Sequence, residues 1–346
     1  MSSMQLEEQV PLAPLTTFQI GGSARFVARV SNVILLMEAV RYAQEKKIPY
    51  FVLGGGSNVL VADEGFPGLV LKIEIKGMSF FDRGNFVEAV VGAGESWDGF
   101  VQTAVAQGLF GVENLSGIPG SVGAAPIQNI GAYGAEAADV ITEVAAVDTL
   151  SGERMLLSRE KCAFAYRNSF FKTDAGRHLV VTHVHFRLEK MSSVKVAYHD
   201  LQRYFGEIVA ADSPSLEDVR EAVLQIRSRK FPSMRTAGTA GSFFKNPIVS
   251  EQELEKLLLQ FPELPHFPMG GNRTKIALGW LLEQLGWKGF RVGDAGVFEH
   301  HALVLTNFGG ASARDVKNLS ALITQNVFER VGINIQPEII FVEARL

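Results

Sequence analysis

One cysteine, Cys162, stands in 346 residues. A lone cysteine excludes an internal disulfide and a cysteine metal cluster, and it fits a reducing compartment. Basic blocks are missing too. Lys and Arg number 33 against 37 Asp and Glu, for a net charge of −4, so no nucleic-acid partner is expected. No apolar run reaches the roughly 20 residues a membrane-spanning helix needs, so no membrane insertion is expected. The first fifteen residues carry no basic start and no long apolar core, so no signal peptide is expected and a cytoplasmic location is. No histidine precedes His178, which leaves the N-terminal half without an imidazole ligand or tether. Repeats and low-complexity segments are also lacking.

What is present supports more than one core. Hydrophobic residues make up 47% of the chain, and its length suggests two or three domains. Ser31 or Asn32 is placed to cap a helix running to about Lys47. Strand-like runs follow, and Ser96 is placed to cap a helix from Trp97. Val140–Leu150 and Leu179–Leu188 read as strands, with His183 and His185 alternating onto one face of the second. No third metal ligand accompanies that pair, so we read a polar strand face and expect no metal. Leu216–Arg229 reads as a helix stopped by Phe231-Pro232. Composition changes just beyond it, which suggests a domain boundary. Helices are expected over Glu251–Gln260, Ile276–Leu285 and Ala313–Val331, with one or two strands at the C-terminus. Strands alternating with helices indicate an α/β or α+β organisation.

Two glycine-rich stretches stand out. Gly54, Gly55 and Gly56 are followed by Ser57 and Asn58, with apolar runs on both sides. Glycines allow close backbone approach, and successive N–H groups in such a turn form an anion-binding concavity. The following run is strand-like, unlike the dinucleotide fingerprint in which the glycines open a helix. The segment therefore reads as a diphosphate cradle between two strands, or as a plain glycine turn in a hairpin. The second stretch, Leu115–Val140, holds five glycines and two prolines among small apolar residues, with no charge before Glu136. Such bare backbone suits a flat, partly hydrophobic ligand such as an isoalloxazine ring, or else a well-packed irregular loop.

Candidate chemistry lies further along. In Gly241–Pro247, Gly241 and the nearby Gly238 free the backbone around Ser242, and Lys245 and Asn246 follow it. Ser242 suits a nucleophile, a proton donor to a strongly basic centre, or a serine that satisfies loop backbone; no G-x-S-x-G elbow is present. Arg167, after an aromatic run, suits a carboxylate or phosphate, or a surface ion pair. Glu338, between Pro337 and an apolar run, is a carboxylate suited to a raised pKa or an exposed strand-end residue. Arg227, Arg229 and Lys230, with Arg273 and Lys275, suit a diphosphate or a solvated helix end.

Taken in order, Gly54–Asn58, Gly117–Gly134, Tyr166–Phe171, Gly241–Pro247 and Pro337-Glu338 resemble the UDP-N-acetylenolpyruvoylglucosamine reductase family. The likeness runs from about Leu15 to the C-terminus. It implies an α+β fold: a two-part FAD-binding region of the vanillyl-alcohol-oxidase type plus a separate α+β substrate-binding domain. The implied boundaries are 1–73 and 74–226 for the FAD-binding parts, the latter joined by 317–346, and 227–316 for the substrate domain. The implied activity is NADPH-dependent, FAD-mediated reduction of UDP-N-acetylglucosamine enolpyruvate to UDP-N-acetylmuramate. That reaction serves peptidoglycan synthesis, hence cell wall biogenesis, cell shape and cell division. FAD would be non-covalent, and a monomer is expected.

By matching motif, Ser242 would be the proton donor, with Arg167 and Glu338 completing the catalytic set. Gly54, Gly55, Gly56, Ser57 and Asn58 would hold the diphosphate, and Gly117, Ile118, Gly120, Ser121, Gly123 and Gly131 would line the flavin. Tyr133, Tyr198, Arg227, Lys230, Asn246 and Lys275 would contact the UDP sugar. Tyr198 suggests the branch with a tyrosine-bearing insertion, around Lys190–Phe205. Another FAD-dependent alcohol or sugar oxidoreductase on the same scaffold is the alternative.

Overall fold

The structure, a computed structural model, describes residues 4–206 and 214–343. The chain forms two compact units. The first takes residues up to Val10, Ala24–Gly55 and Pro67–Ser228. The second takes Pro11–Ser23, Gly56–Phe66 and the described residues from Arg229 onward.

In the first unit, helix α1 (Val33–Glu45) starts where Asn32 accepts a hydrogen bond from Leu35 N at 3.0 Å. Helix α2 (Trp97–Ala106) starts where Ser96 accepts from Gly99 N. Such caps satisfy amide donors that the first helical turn leaves open. Helix α3 spans His199–Gly206 and helix α4 Leu216–Lys230, so the unit boundary falls inside α4. A four-stranded sheet has the order Leu6–Pro11, Ser23–Val30, Phe66–Ile73, Tyr50–Leu53. An antiparallel five-stranded sheet runs Arg154–Ser158, Ile141–Asp148, Leu179–Glu189, Phe86–Gly92, Met78–Asp82. One apolar core joins residues of both sheets to α1 and α2. At its centre Trp97, Phe100 and Phe186 pack with ring centroids 4.5–6.0 Å apart, a spacing that favours edge-on and offset aromatic pairs. His183 and His185 do share a polar strand face, where His185 Nδ1 lies 3.4 Å from Glu88.

In the second unit, helix α5 (Glu251–Gln260) opens on a Ser250–Glu253 capping box. Helix α6 spans Leu278–Gln284, and helix α7 (Ala313–Val331) opens on a Ser312–Asp315 box and closes on Gly332 at φ 73°. Helix α6 begins later than expected because Ile276 belongs to the strand Arg273–Ile276, where it pairs with His266. The sheet Gly238–Ser242, Val304–Asn307, Ala295–Val297, Arg291–Val292 packs on the helices over a second core. Phe243 and Phe244, each 1% exposed, anchor it; burial of each side chain contributes about 1.5–3 kcal/mol.

These units cut the chain differently from the expected boundaries. Residues 24–55 and 67–228 share one core. The C-terminal segment, expected to join 74–226, packs with the second unit. Its strand Ile340–Val342 pairs in parallel with Val59–Val61, and Ile323 and Val327 of α7 lie in the second core. The strands flanking the glycine turn therefore belong to different sheets, which removes the hairpin reading: Tyr50–Leu53 pairs with Phe66–Ile73, and Val59–Val61 with the C-terminus.

Candidate active site

The first unit brings the two glycine-rich stretches together. A Cβ at Gly54 would stand 2.5 Å from Ser121 Oγ, and one at Gly55 would stand 2.6 Å from Gly120 Cα. Contacts that short are not tolerated, so backbone meets backbone here only because both side chains are missing. Gly120 O accepts from Trp97 N, and Ser121 forms a bridge with Ser96, so the start of α2 fixes this meeting point. Other glycines of the second stretch face protein. A Cβ at Gly123 would strike Ala93, and one at Gly117 (φ 67°) would strike Leu224 and approach Arg227. Ile118 packs against the first core.

Arg167 occupies a tight turn closed by reciprocal hydrogen bonds between Ala165 and Asn168, 3.0 and 3.1 Å long. Its φ is 51°, a left-handed conformation that favours glycine. The guanidinium donates to Gly131 O at 2.7 Å and to Asn129 O at 3.4 Å, and it lies 5.5 Å from the Tyr166 ring centroid. Lys172 Nζ donates to Arg167 O at 3.0 Å. A Cβ at Gly131 would press to 3.2 Å of the Arg167 guanidinium, so glycine makes room for it. Asn129, also left-handed at φ 46° and 1% exposed, donates to Glu136 and accepts from Ala138 N, which fixes the carbonyl that Arg167 uses. Strain held this firmly by surrounding bonds is a mark of functional backbone.

Three of the expected sugar-nucleotide residues also meet in this unit. Tyr133 (φ 49°) packs edge-on against Tyr198, centroids 5.6 Å apart, and bonds the Arg227 guanidinium through its hydroxyl. Burial pushes the Tyr133 phenol up to about 12, so it stays neutral at ordinary pH. Arg227 Nε donates to Gly117 O at 3.0 Å, and burial draws its pKa down. Gly117 N donates to Asp98, which Arg220 clasps with two bonds of 2.7 and 3.0 Å. Burial opposes ionisation of Asp98, but Arg220 and the Gly117 amide outweigh it and hold the carboxyl below its ordinary range.

In the second unit, Ser242 ends a strand just after Gly241 at φ 75°, with a bulge in its pairing to Val304–Asn307. Bulges re-aim side chains beside functional sites. Phe244 bridges to Pro337, and Glu338 N donates to Phe243 O at 2.7 Å. Glu338 thus lies on the segment bonded to the residue after Ser242. Asn58 Nδ2 donates to Glu338 O at 3.3 Å, and Ile340 N donates to Asn58 O. Gly56, at φ 66°, sits where a Cβ would strike Leu15 O; Ser57 follows, half-buried. Asn246 Oδ1 accepts from Leu278 N at 3.0 Å and so caps α6. Lys275 Nζ lies over the Phe267 ring, 5.6 Å from its centroid, and Lys230 ends α4 beside Phe231, which stacks on His301.

Sequence reasoning missed several residues that set this geometry: Lys72, whose ammonium donates to Gly54 O, and Lys172, Asn129 and Asp98. Lys72 carried a signal, a cation inside the apolar run Leu69–Ile73. Among the described residues no group of three His, Cys, Asp or Glu side chains is placed to hold a metal, and no helix is long and apolar enough to cross a membrane.

Known proteins are similar to this chain along its length. Residues 232–342 match the UDP-N-acetylenolpyruvoylglucosamine reductase C-terminal domain, and residues 24–157 match an FAD binding domain. The chain is 40% identical over 338 residues to UDP-N-acetylenolpyruvoylglucosamine reductase of Chromobacterium violaceum, covering 97% of this chain and 98% of that protein. The Pseudomonas aeruginosa reductase is 40% identical over 337 residues with the same coverage. The crystal structure of the Thermus caldophilus reductase superposes with a TM-score of 0.68 at 27% identity, covering 99% of this chain and 100% of that one.

Proposed function

The chain belongs to the UDP-N-acetylenolpyruvoylglucosamine reductase family, and on that premise we propose that it reduces UDP-N-acetylglucosamine enolpyruvate to UDP-N-acetylmuramate with FAD and NADPH. The observation that carries this reading is the bond between Glu338 N and Phe243 O, which sets two of the three expected catalytic residues on adjoining backbone. Soluble sugar nucleotides of peptidoglycan synthesis are cytoplasmic substrates, and that is the proposed location.

The residues present fit FAD. Gly54 and Gly55 carry no side chain, and their backbone lies directly against Ser121 Oγ and the Gly120 backbone. Turns of this kind present N–H groups to phosphate oxygens. Gly54–Asn58 would hold the diphosphate, and the Gly117–Gly131 stretch would meet the ring system. When bound and reduced by NADPH, FAD supplies the hydride that enters at C3 of the enolpyruvyl group.

The chain's own residues supply the rest. Negative charge arising at C2 spreads into the adjacent carboxylate. Arg167, held by Gly131 O and Asn129 O, presents a fixed cation to those oxygens. A preorganised charge of this kind is commonly the largest catalytic contribution. Ser242 gives its hydroxyl proton to C2; a serine is a weak acid, but a carbanionic carbon is basic enough to take the proton. Glu338 completes the set from the segment bonded to Phe243. Tyr133, Tyr198 and Arg227 form one sugar-nucleotide contact group, and Lys230, Asn246 and Lys275 another. The Asn246 carbonyl oxygen is engaged by α6, so its amide N–H group is the part left to donate.

The test is direct. Adding the enolpyruvyl sugar nucleotide to protein and NADPH should cause substrate-dependent loss of NADPH absorbance. An oxidase on the same scaffold would instead consume oxygen with an alcohol or sugar and ignore the enolpyruvyl compound.

A further inference from the structure

Lys72 lies in the strand Phe66–Ile73, in register with Leu53, the residue that leads into the glycine turn. Its ammonium is half-buried and donates to the carbonyl oxygen of Gly54. The charged groups that act on it are Glu74 just past the end of its own strand, Arg29 on the neighbouring strand and Lys76. Arg29 is itself paired with Glu7 and Glu74. A cation kept from water needs a reason to be there, because burying it is costly unless it is well bonded.

The planarity of the peptide supplies one. In a trans peptide the C=O and the following N–H point in opposite directions. A Lys72 ammonium on Gly54 O therefore turns the Gly55 N–H to the far side of the same plane. It also draws electron density toward the oxygen and makes that N–H a stronger donor, as linked hydrogen bonds do. Gly55 is where a Cβ would collide with Gly120, so the donor sits on a step of the turn that leaves no room for a side chain.

We propose that Lys72 is a positioning residue for the cofactor: it locks and polarises the Gly54–Gly55 peptide so that the Gly55 N–H binds a phosphate oxygen of the dinucleotide. This inference rests on the reading of Gly54–Asn58 as the diphosphate cradle. Burial lowers the Lys72 pKa, with partial relief from Glu74. The ammonium is therefore lost on the alkaline side at a lower pH than for a free lysine, and cofactor affinity falls with it.

Release of FAD from the diluted full-length holoprotein, read as recovery of flavin fluorescence, tests this. Lys72→Met should raise the dissociation constant roughly ten- to hundredfold, the range for a bond to a charged group. Lys72→Arg should restore it to within about threefold. Wild-type affinity should decline as pH rises, while Lys72→Arg stays flat; titration of the flavin itself is common to both. Gly55→Val is the control for the cradle. If Lys72→Met holds FAD as the wild type does while Gly55→Val loses it, the cradle stands and the role of Lys72 is overturned. If Gly55→Val also retains FAD, the cradle reading fails and the proposal with it. Should Lys72→Met not fold, the pH profile of Lys72→Arg decides: a flat line supports the role, and a decline matching wild type overturns it.

Discussion

The two units hold their candidate site residues in opposite ways. In the first, Asn129, Tyr133 and Arg167 take left-handed backbone at φ 46–51°, and cations fasten the loops by bonding carbonyl oxygens. In the second, Ser242 ends a strand and Glu338 follows the Phe244–Pro337 bridge, and the left-handed positions next to the candidate residues are glycines, Gly56 and Gly241. One arrangement stores conformational strain and offsets it with charge-assisted bonds; the other needs little beyond strand pairing over a core of Phe243 and Phe244. The difference suits their assignments. A guanidinium that must meet developing charge gains from a rigid, preorganised setting, whereas a hydroxyl that delivers one proton needs only placement.

The sharpest way to break this comparison is to remove the hydroxyl. Ser242→Ala should leave reduction of the flavin by NADPH at its normal rate and slow its reoxidation by the enolpyruvyl sugar by roughly two to four decades. Stopped-flow traces with both halves unchanged would take the proton-donor role from Ser242.

A smaller effect on rate, but a more telling one for the strained unit, comes from Arg167→Gly. Glycine is at ease at φ 51°, which offsets much of the loss of the guanidinium's bonds to Gly131 O and Asn129 O, so melting temperature should fall only modestly. The steady-state rate should nevertheless fall by about two to three decades, as for loss of an oxyanion-type donor. A rate left within a few-fold of wild type would make Arg167 structural and its strain without purpose.

Much of this organisation was legible in the sequence because it is local. Ser31 or Asn32, and Ser96, announced α1 and α2, and the expected bounds of α5 and α7 match to the residue. The glycine turn and Ser242 stood out because glycine clusters around small polar residues are rare in packed elements. What was not legible depends on partners distant in the chain. Nothing local to Val59–Val61 says that it pairs with Ile340–Val342. Lys72 stands out as a cation in an apolar run, but its partner is hidden until Gly54 is seen beside it. Arg167 gives no hint of positive φ, since that conformation is imposed by Gly131 and Asn129 rather than preferred.

The mildest expected effect sharpens the first unit alone. Asp98 has a depressed pKa in the folded chain, so the unfolded chain binds protons first as pH falls. The stability it contributes is present above its ordinary value near 3.8 and is lost as pH drops through the folded value. Asp98→Asn should flatten the fall of melting temperature below about pH 4, with little change at neutral pH. An unchanged acid limb would mean that the pair with Arg220 contributes nothing there.

The central claim is that the first unit carries the flavin and that the enolpyruvyl sugar discharges it. Without oxygen, the protein-bound flavin is bleached with NADPH, and one equivalent of UDP-N-acetylglucosamine enolpyruvate is added. The account predicts prompt return of the visible absorption with formation of UDP-N-acetylmuramate. A flavin that stays bleached until air is admitted, or a protein that binds no flavin at all, would contradict it.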